Sequence, residues 1–378
     1  MTDERIFILN WESHTVALIY AVYNTEGRVI VIDAFKIEND GSLLIDENEI
    51  ERNAGKLREC LAYFEEKYSL KIQTLYLLFS GKGFIYNQID DRRAYEKLLD
   101  SVHKGDFKNP KMPTPEMPLH CELFKVYEKY HPSSNQFPGY AFAVAASERD
   151  VMQKTFLEAE CFIEGFIDWT SLFQTDINKV VIALNYDSSI IFAHVSGGVA
   201  LYRENLFSLS SILEKICLEN DVEIAKAKKM LQWTISPPSI SDESFYKDEE
   251  SSLFTSETFT KTREIISDEL EHFFISQKQT LEDTGVWEQG LERLILIGEG
   301  APLIMRYTFL YEIIKIHPQI VAPKYKDITH NKFDEQDYLP LSLALKPAYE
   351  HRKVLREQLE RQNKNLSLKS WVRRILGR

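Results

Sequence analysis

Apolar residues along this chain alternate between two periods, and each half of the chain passes through them in the same order. Arg5 to Leu9, Val16 to Tyr23 and Val29 to Phe35 are β-rich runs separated by the polar stretches NWESH and NTEGR, which predicts three consecutive strands. Ile50, Ala54, Leu57, Leu61 and Phe64 then recur at three- and four-residue spacing, so Glu47 to Tyr68 is expected to be an amphipathic helix. Ile72 to Ser80 (IQTLYLLFS) is a continuous apolar run suited to a strand covered on both faces. From Lys179 the pattern starts again: KVVIALNYDSSIIFAHVSGGVALYREN holds three strand-like runs split by turn residues. Helices follow at Leu209 to Glu219, Glu223 to Gln232 and Thr258 to Gln279, then a buried strand at Leu291 to Ile297. Repetition of a whole strand-and-turn order is a stronger signal than any one element.

Between the halves the periodicity is weaker. Lys104 to Pro118 (KGDFKNPKMPTPEMP) is rich in Pro and Lys and reads as a loop, as does the Ser- and acid-rich stretch Ser236 to Ser256. Tyr140 to Ala146, Glu148 to Ala159 and Cys161 to Ile167 read as strand, helix and strand of a small inserted module. The expected division is residues 1–84 for the first part of lobe one, 85–165 for the insert, and 166–345 for lobe two with a return to lobe one. Residues 346–365 are then a helical linker and 366–378 a terminal amphipathic helix.

Composition narrows the function classes. Hydrophobic residues at 44% and charged residues at 27% are those of folded domains. A net charge of -13 argues against a nucleic-acid partner, because neutralising phosphates takes a basic face. The start, MTDERIFILNW, lacks the cationic flank and long apolar core of a secretory signal, and no apolar run reaches about 18 residues, so a cytoplasmic protein is expected. Cys60, Cys121, Cys161 and Cys217 form no CxxC pair, and the nine histidines show no helix-spaced pair, so no metal site is expected.

The two hairpins, followed by LILIGEGAPL, resemble the actin and sugar-kinase ATPase superfamily. That resemblance implies a two-lobed α/β actin-like (ribonuclease H-like) fold, with a small inserted α+β subdomain and a C-terminal amphipathic helix. It also implies ATP with Mg as cofactor, held by Ser13, Thr15, Asp187, Ser188, Lys226, Gly298 and Gly300, with Lys228 as the alternative to Lys226. Phosphate turns need glycine so that backbone N–H groups can approach closely. Neither Asn10 to Thr15 nor Asn185 to Ser189 contains one, and Trp11 and Tyr186 add bulk there, so nucleotide binding is expected to be weak or lost and no catalytic residue is assigned. LYLLFSGKGF at Leu75 to Phe84 and EIAKAKKM at Glu223 to Met230 bring the resemblance closest to FtsA-like cell-division proteins, with PilM-like proteins as the nearest alternative. It implies a scaffold with an FtsZ-like filament or another division or envelope protein as partner, and assembly with its own copies.

The last residues separate those two families. From Arg361 the chain carries six Lys or Arg and no Asp or Glu. Leu368, Trp371, Val372, Ile375 and Leu376 fall at i, i+3, i+4, i+7 and i+8, one apolar stripe, with Lys369, Arg373 and Arg374 on the other side. Tryptophan favours the headgroup boundary and each cation near an anionic leaflet adds about 1 kcal/mol, so the stripe is expected to lie on the inner face of the cell membrane. Anionic liposomes should therefore pellet the full chain and leave a chain ending at Asn365 in the supernatant; equal pelleting of the two would contradict a lipid role for the stripe.

Overall fold

A computed structural model describes residues 4–23, 28–79, 84–89, 93, 121–128, 139–173, 177–195, 198–235, 256–320, 326–327, 338 and 340–357. The stretches Lys104 to Pro118, most of Ser236 to Ser256 and the C-terminal stripe with its eight residues from 368 to 376 lie outside the described residues.

Strands β1 (Glu4–Trp11), β2 (Thr15–Tyr23) and β3 (Val29–Glu38) form an antiparallel meander. Helix α1 (Ile50–Tyr68) crosses back, and β4 (Thr74–Phe79) enters parallel to β1. The second half repeats this. Strands β9 (Lys179–Leu184), β10 (Ser189–Val195) and β11 (Gly198–Asn205) make a meander, α3 (Leu209–Asn220), α4 (Ile224–Ile235) and α5 (Ser256–Asp283) follow, and β12 (Arg293–Ile297) enters parallel to β9. After β12 come the short helices α6 (Ala301–Met305) and α7 (Leu310–Ile314), then β13 (Pro318–Ile320). With β8 (Phe162–Asp168) beside β4, the strand orders are β3-β2-β1-β4-β8 and β11-β10-β9-β12-β13, so the doubled pattern in the sequence is a doubled topology in space. A two-residue strand, β14 (Lys326–Asp327), then pairs with β3 and returns the chain to the first sheet.

Alternation decides which face of each strand meets which helix. In β1, Phe7, Leu9 and Trp11 join Leu57, Leu61 and Phe64 of α1, while Ile6 and Ile8 join Leu341, Ala344, Leu345 and Ala348 on the opposite face. Lobe two does the same: Val180, Ile182 and Leu184 face α3 to α5, and Val181 and Ala183 face Trp169 and Phe173 of the short 3-10 turn between the lobes. Both sheets are covered on two sides. The strands therefore read as unbroken apolar runs.

Two expected boundaries move. Strands β5 (Phe84–Ile89), β6 (Cys121–Glu128) and β7 (Gly139–Ala145) form a separate three-stranded sheet in the order β5-β7-β6. Helix α2 (Ala146–Glu158) and strand β8 (Phe162–Asp168), expected inside the insert, belong to lobe one. Met152 and Phe156 bury against the α1 side of the core, and β8 pairs parallel with β4. The segment from 346 is likewise no linker as far as 357. Residues 340–357 are one helix, α8, docked on the first sheet, where Arg352 forms a charge pair with Glu164 and donates to the Arg5 carbonyl, and Arg356 pairs with Glu4. Its Leu343 packs instead against the inner face of lobe two.

The docked helix supplies a stability test. Leu345 is fully buried, so Leu345→Ala should cost about 2–5 kcal/mol in denaturant unfolding, whereas Val354→Ala, at a half-exposed position, should cost less than about 0.5 kcal/mol. Equal small effects would show that the helix contributes little to lobe one.

Candidate functional site

Three turns meet where the two sheets face each other. The first joins β1 to β2 and is braced by the segment after β3: Gly41 donates its N–H to the Ser13 carbonyl at 2.7 Å, and the Asn39 amide donates to the Glu12 carbonyl at 2.5 Å. The second joins β9 to β10 and is held by the start of α3. There Leu209 and Ser210 donate backbone N–H groups to the carbonyls of Asn185 and Tyr186, at 3.0 and 2.9 Å. Ser208 caps that helix reciprocally with Ser211. The third follows β12, and Gly300 donates its N–H to the Leu184 carbonyl at 2.9 Å.

The glycines of the third turn are explained by this contact. Gly298 has φ +84°, and a Cβ there would stand 2.5 Å from the Leu184 carbonyl oxygen; at Gly300 it would stand 2.4 Å from the Leu184 side chain. Their bareness lets β12 approach β9 closely, whatever else the turn does.

Polar groups from both lobes then face each other. The Ser13 N–H donates to Asp187 Oδ2 across the seam at 3.3 Å. His14 Nε2 lies 2.5 Å from Glu299 Oε1, His14 Nδ1 lies 3.8 Å from Glu12 Oε2, and the Asn10 amide donates to Glu12 Oε1 at 2.9 Å. The His14 ring also lies 4.4 Å from that of Tyr186, over which Lys228 Nζ sits at 5.4 Å. Two cavities flank these contacts. One of about 320 Å³ is lined by Trp11, Ser13, Asp187 and Ser188, and one of about 450 Å³ by Asn10, His14, Lys36, Asn185 and Glu299; Glu12 and Asn185 touch both.

Of the residues named from sequence, Ser13, Asp187 and Ser188 line the smaller cavity, and Thr15 and Gly298 the larger. Gly300 sits at the third turn against Leu184. The Thr15 hydroxyl already donates to the Ile37 carbonyl at 3.2 Å. Lys228, rather than Lys226, borders a cavity. Trp11 does not obstruct the first turn as its bulk suggests. It is buried in the core of lobe one, with Nε1 donating to the Ser42 carbonyl at 3.1 Å. Sequence reading passed over Glu12, His14 and Glu299 as site residues; the polar letters inside each turn were the one available signal.

The phosphate-type donor of the first turn is already engaged within the protein. The backbone N–H of Ser13, the type of donor a phosphate takes, is engaged by the protein's own Asp187 carboxylate, and Glu12 and Glu299 add negative charge beside it.

That crowding sets the titration. Burial, then the charge of Glu299, pushes the Glu12 carboxyl up to about 7 against the opposing pull of His14 and Asn10. Burial by itself disfavours a charged His14, but the hydrogen bond to Glu299 and the charges of Glu299, Glu12 and Asp187 outweigh it and raise its pKa. For Glu12, stability is highest while both states are protonated and falls as pH rises from about 4.5 to about 7. For His14 the contribution is full below 6.5 and is lost as pH rises through its folded value, so the two slopes agree. Chelator-treated Glu12→Gln protein should lose less stability than the native chain between pH 5 and 8, by on the order of 2 kcal/mol in urea melts at each pH. Parallel profiles would rule out Glu12 as a source of the slope.

No family model matches the chain, and no curated protein matches it in sequence. Its fold is similar to a chain of the PilM-PilN type IV pilus biogenesis complex, at 12% identity and a TM-score of 0.65 over 90% of this chain and 98% of that one. It is also similar to the ethanolamine utilization protein EutJ from Carboxydothermus hydrogenoformans, at 8% identity and a TM-score of 0.51 over 85% of each chain. With the duplicated strand order, these likenesses establish a two-lobed actin-like fold for this chain.

Proposed function

We propose that the chain is a non-catalytic assembly scaffold, an actin-like body that binds a protein partner of an envelope-associated machine and is kept at the membrane surface by its C-terminal stripe. One observation carries the reading. The first turn donates its Ser13 N–H to Asp187 of the other lobe, so an internal carboxylate takes the donor that a nucleotide phosphate would need. Two glycine-free turns, and a third whose glycines serve strand packing, support it.

The partner is read from the fold. The similar PilM-PilN chain belongs to a type IV pilus biogenesis complex, and the likeness spans nearly all of it, which supports a protein partner in an assembly system. The basic amphipathic stripe from Leu368 to Leu376 favours a second, FtsA-like form of this reading. In that form the partner is an FtsZ-like filament and copies of the chain associate with one another. The enzyme alternative assigns Mg-ATP to Ser13, Thr15, Asp187, Ser188, Lys226, Gly298 and Gly300.

Calorimetric titration of the full chain with Mg-ATP decides between scaffold and ATPase. The expected result is binding weaker than about 1 mM, the same with and without magnesium. Micromolar, magnesium-dependent binding that Asp187→Ala abolishes would overturn the scaffold reading.

A further inference from the structure

The three turns bring together a set of groups that neither a scaffold nor a nucleotide site requires. Glu12 and His14 come from the first turn and Glu299 from the third, and one donor atom from each lies within 4.8 Å of the others. We propose that Glu12, His14 and Glu299 form a divalent transition-metal site that joins the two lobes without a nucleotide.

The donor chemistry selects the ion. One imidazole with two carboxylates suits zinc and its first-row neighbours better than magnesium or calcium, which prefer all-oxygen shells. Three protein ligands leave a fourth position for water, as in open zinc sites. His14 Nε2 and Glu299 Oε1 now stand 2.5 Å apart, the spacing of a hydrogen bond. Ligands of a tetrahedral zinc stand roughly 3.3 Å apart, so an ion replaces the proton between them with less than about 1 Å of movement.

The cavity wall supplies an independent observation. Asn185 is 6% exposed and borders the same cavity as the three donors, yet its Nδ2 has no hydrogen-bond partner; the buried Asn10 Oδ1, also on that wall, has none either. Buried amides are rarely left so unless water or an ion completes the site. Water bound to a cation donates to Asn10 Oδ1, and further water in the cavity accepts from Asn185 Nδ2.

Charge points the same way. Glu12, Glu299 and Asp187 surround one imidazole. The two lysines on the wall of the larger cavity sit over aromatic faces, Lys36 near Tyr338 and Lys228 near Tyr186, at 5.8 and 5.4 Å from the ring centroids. A divalent ion places positive charge directly beside these carboxylates.

The test uses the full chain and cobalt(II) alone as a spectroscopic probe, with zinc as competitor. One equivalent should bind with a visible ligand-field band and no thiolate charge-transfer band, and zinc should displace it. His14→Gln and Glu299→Gln should each weaken binding by about tenfold or more while circular dichroism shows a folded metal-free chain. Glu299 is partly exposed and lies at a turn, so its variant keeps the test decisive should the histidine variant fail to fold. No stoichiometric binding at about 100 μM metal, unchanged affinity in Glu299→Gln, a thiolate band, or binding only when ATP is added would each overturn the proposal.

Discussion

Crowding of like charge at the junction of two lobes is the constraint that organises this molecule. Two sheets built alike present the carboxyl ends of their central strands to one another, and the turns there carry Glu12, Asp187 and Glu299 around one imidazole. A buried carboxylate must be paired, protonated or joined to a cation. Each of those outcomes ties the lobes together differently. The His14 contact with Glu299 responds to acidity, because that carboxylate raises the pKa of the imidazole, whereas the Ser13 N–H to Asp187 is a backbone contact across the seam.

The apolar half of the seam has the opposite character. The Trp169–Phe173 turn packs on the inner face of lobe two, and α8 sends Leu341 and Leu345 into lobe one and Leu343 toward lobe two. Such packing carries no titratable group and does not respond to pH directly.

Much of the architecture was legible because strands covered on both faces are largely apolar, as in VVIAL and IIFA, and because the hairpin pattern occurs twice. The errors have physical causes. A strand in the order of the chain says nothing about which sheet it joins, so β8 was grouped with the insert although it pairs with β4. Residues 346–357 continue the docked helix α8 even though Pro347 lies within it, and its buried stripe of Leu341, Ala344, Leu345 and Ala348 gives way to charged residues toward 357. The Glu12–His14–Glu299 group has no sequence spacing to detect, since its third member comes from a turn 285 residues away. Gly298 and Gly300 were visible as a turn, but only the position of Leu184 shows why a side chain cannot stand there.

Helix α8 also determines how the molecule takes load. Because residues 340–357 lie along the first sheet, tension applied at residue 357 runs down the helix axis. The charge pairs of Arg352 with Glu164 and Arg356 with Glu4 couple the helix to β8 at one edge of the first sheet and to β1 within it. Helix α8 is thus a stiff handle on the sheet.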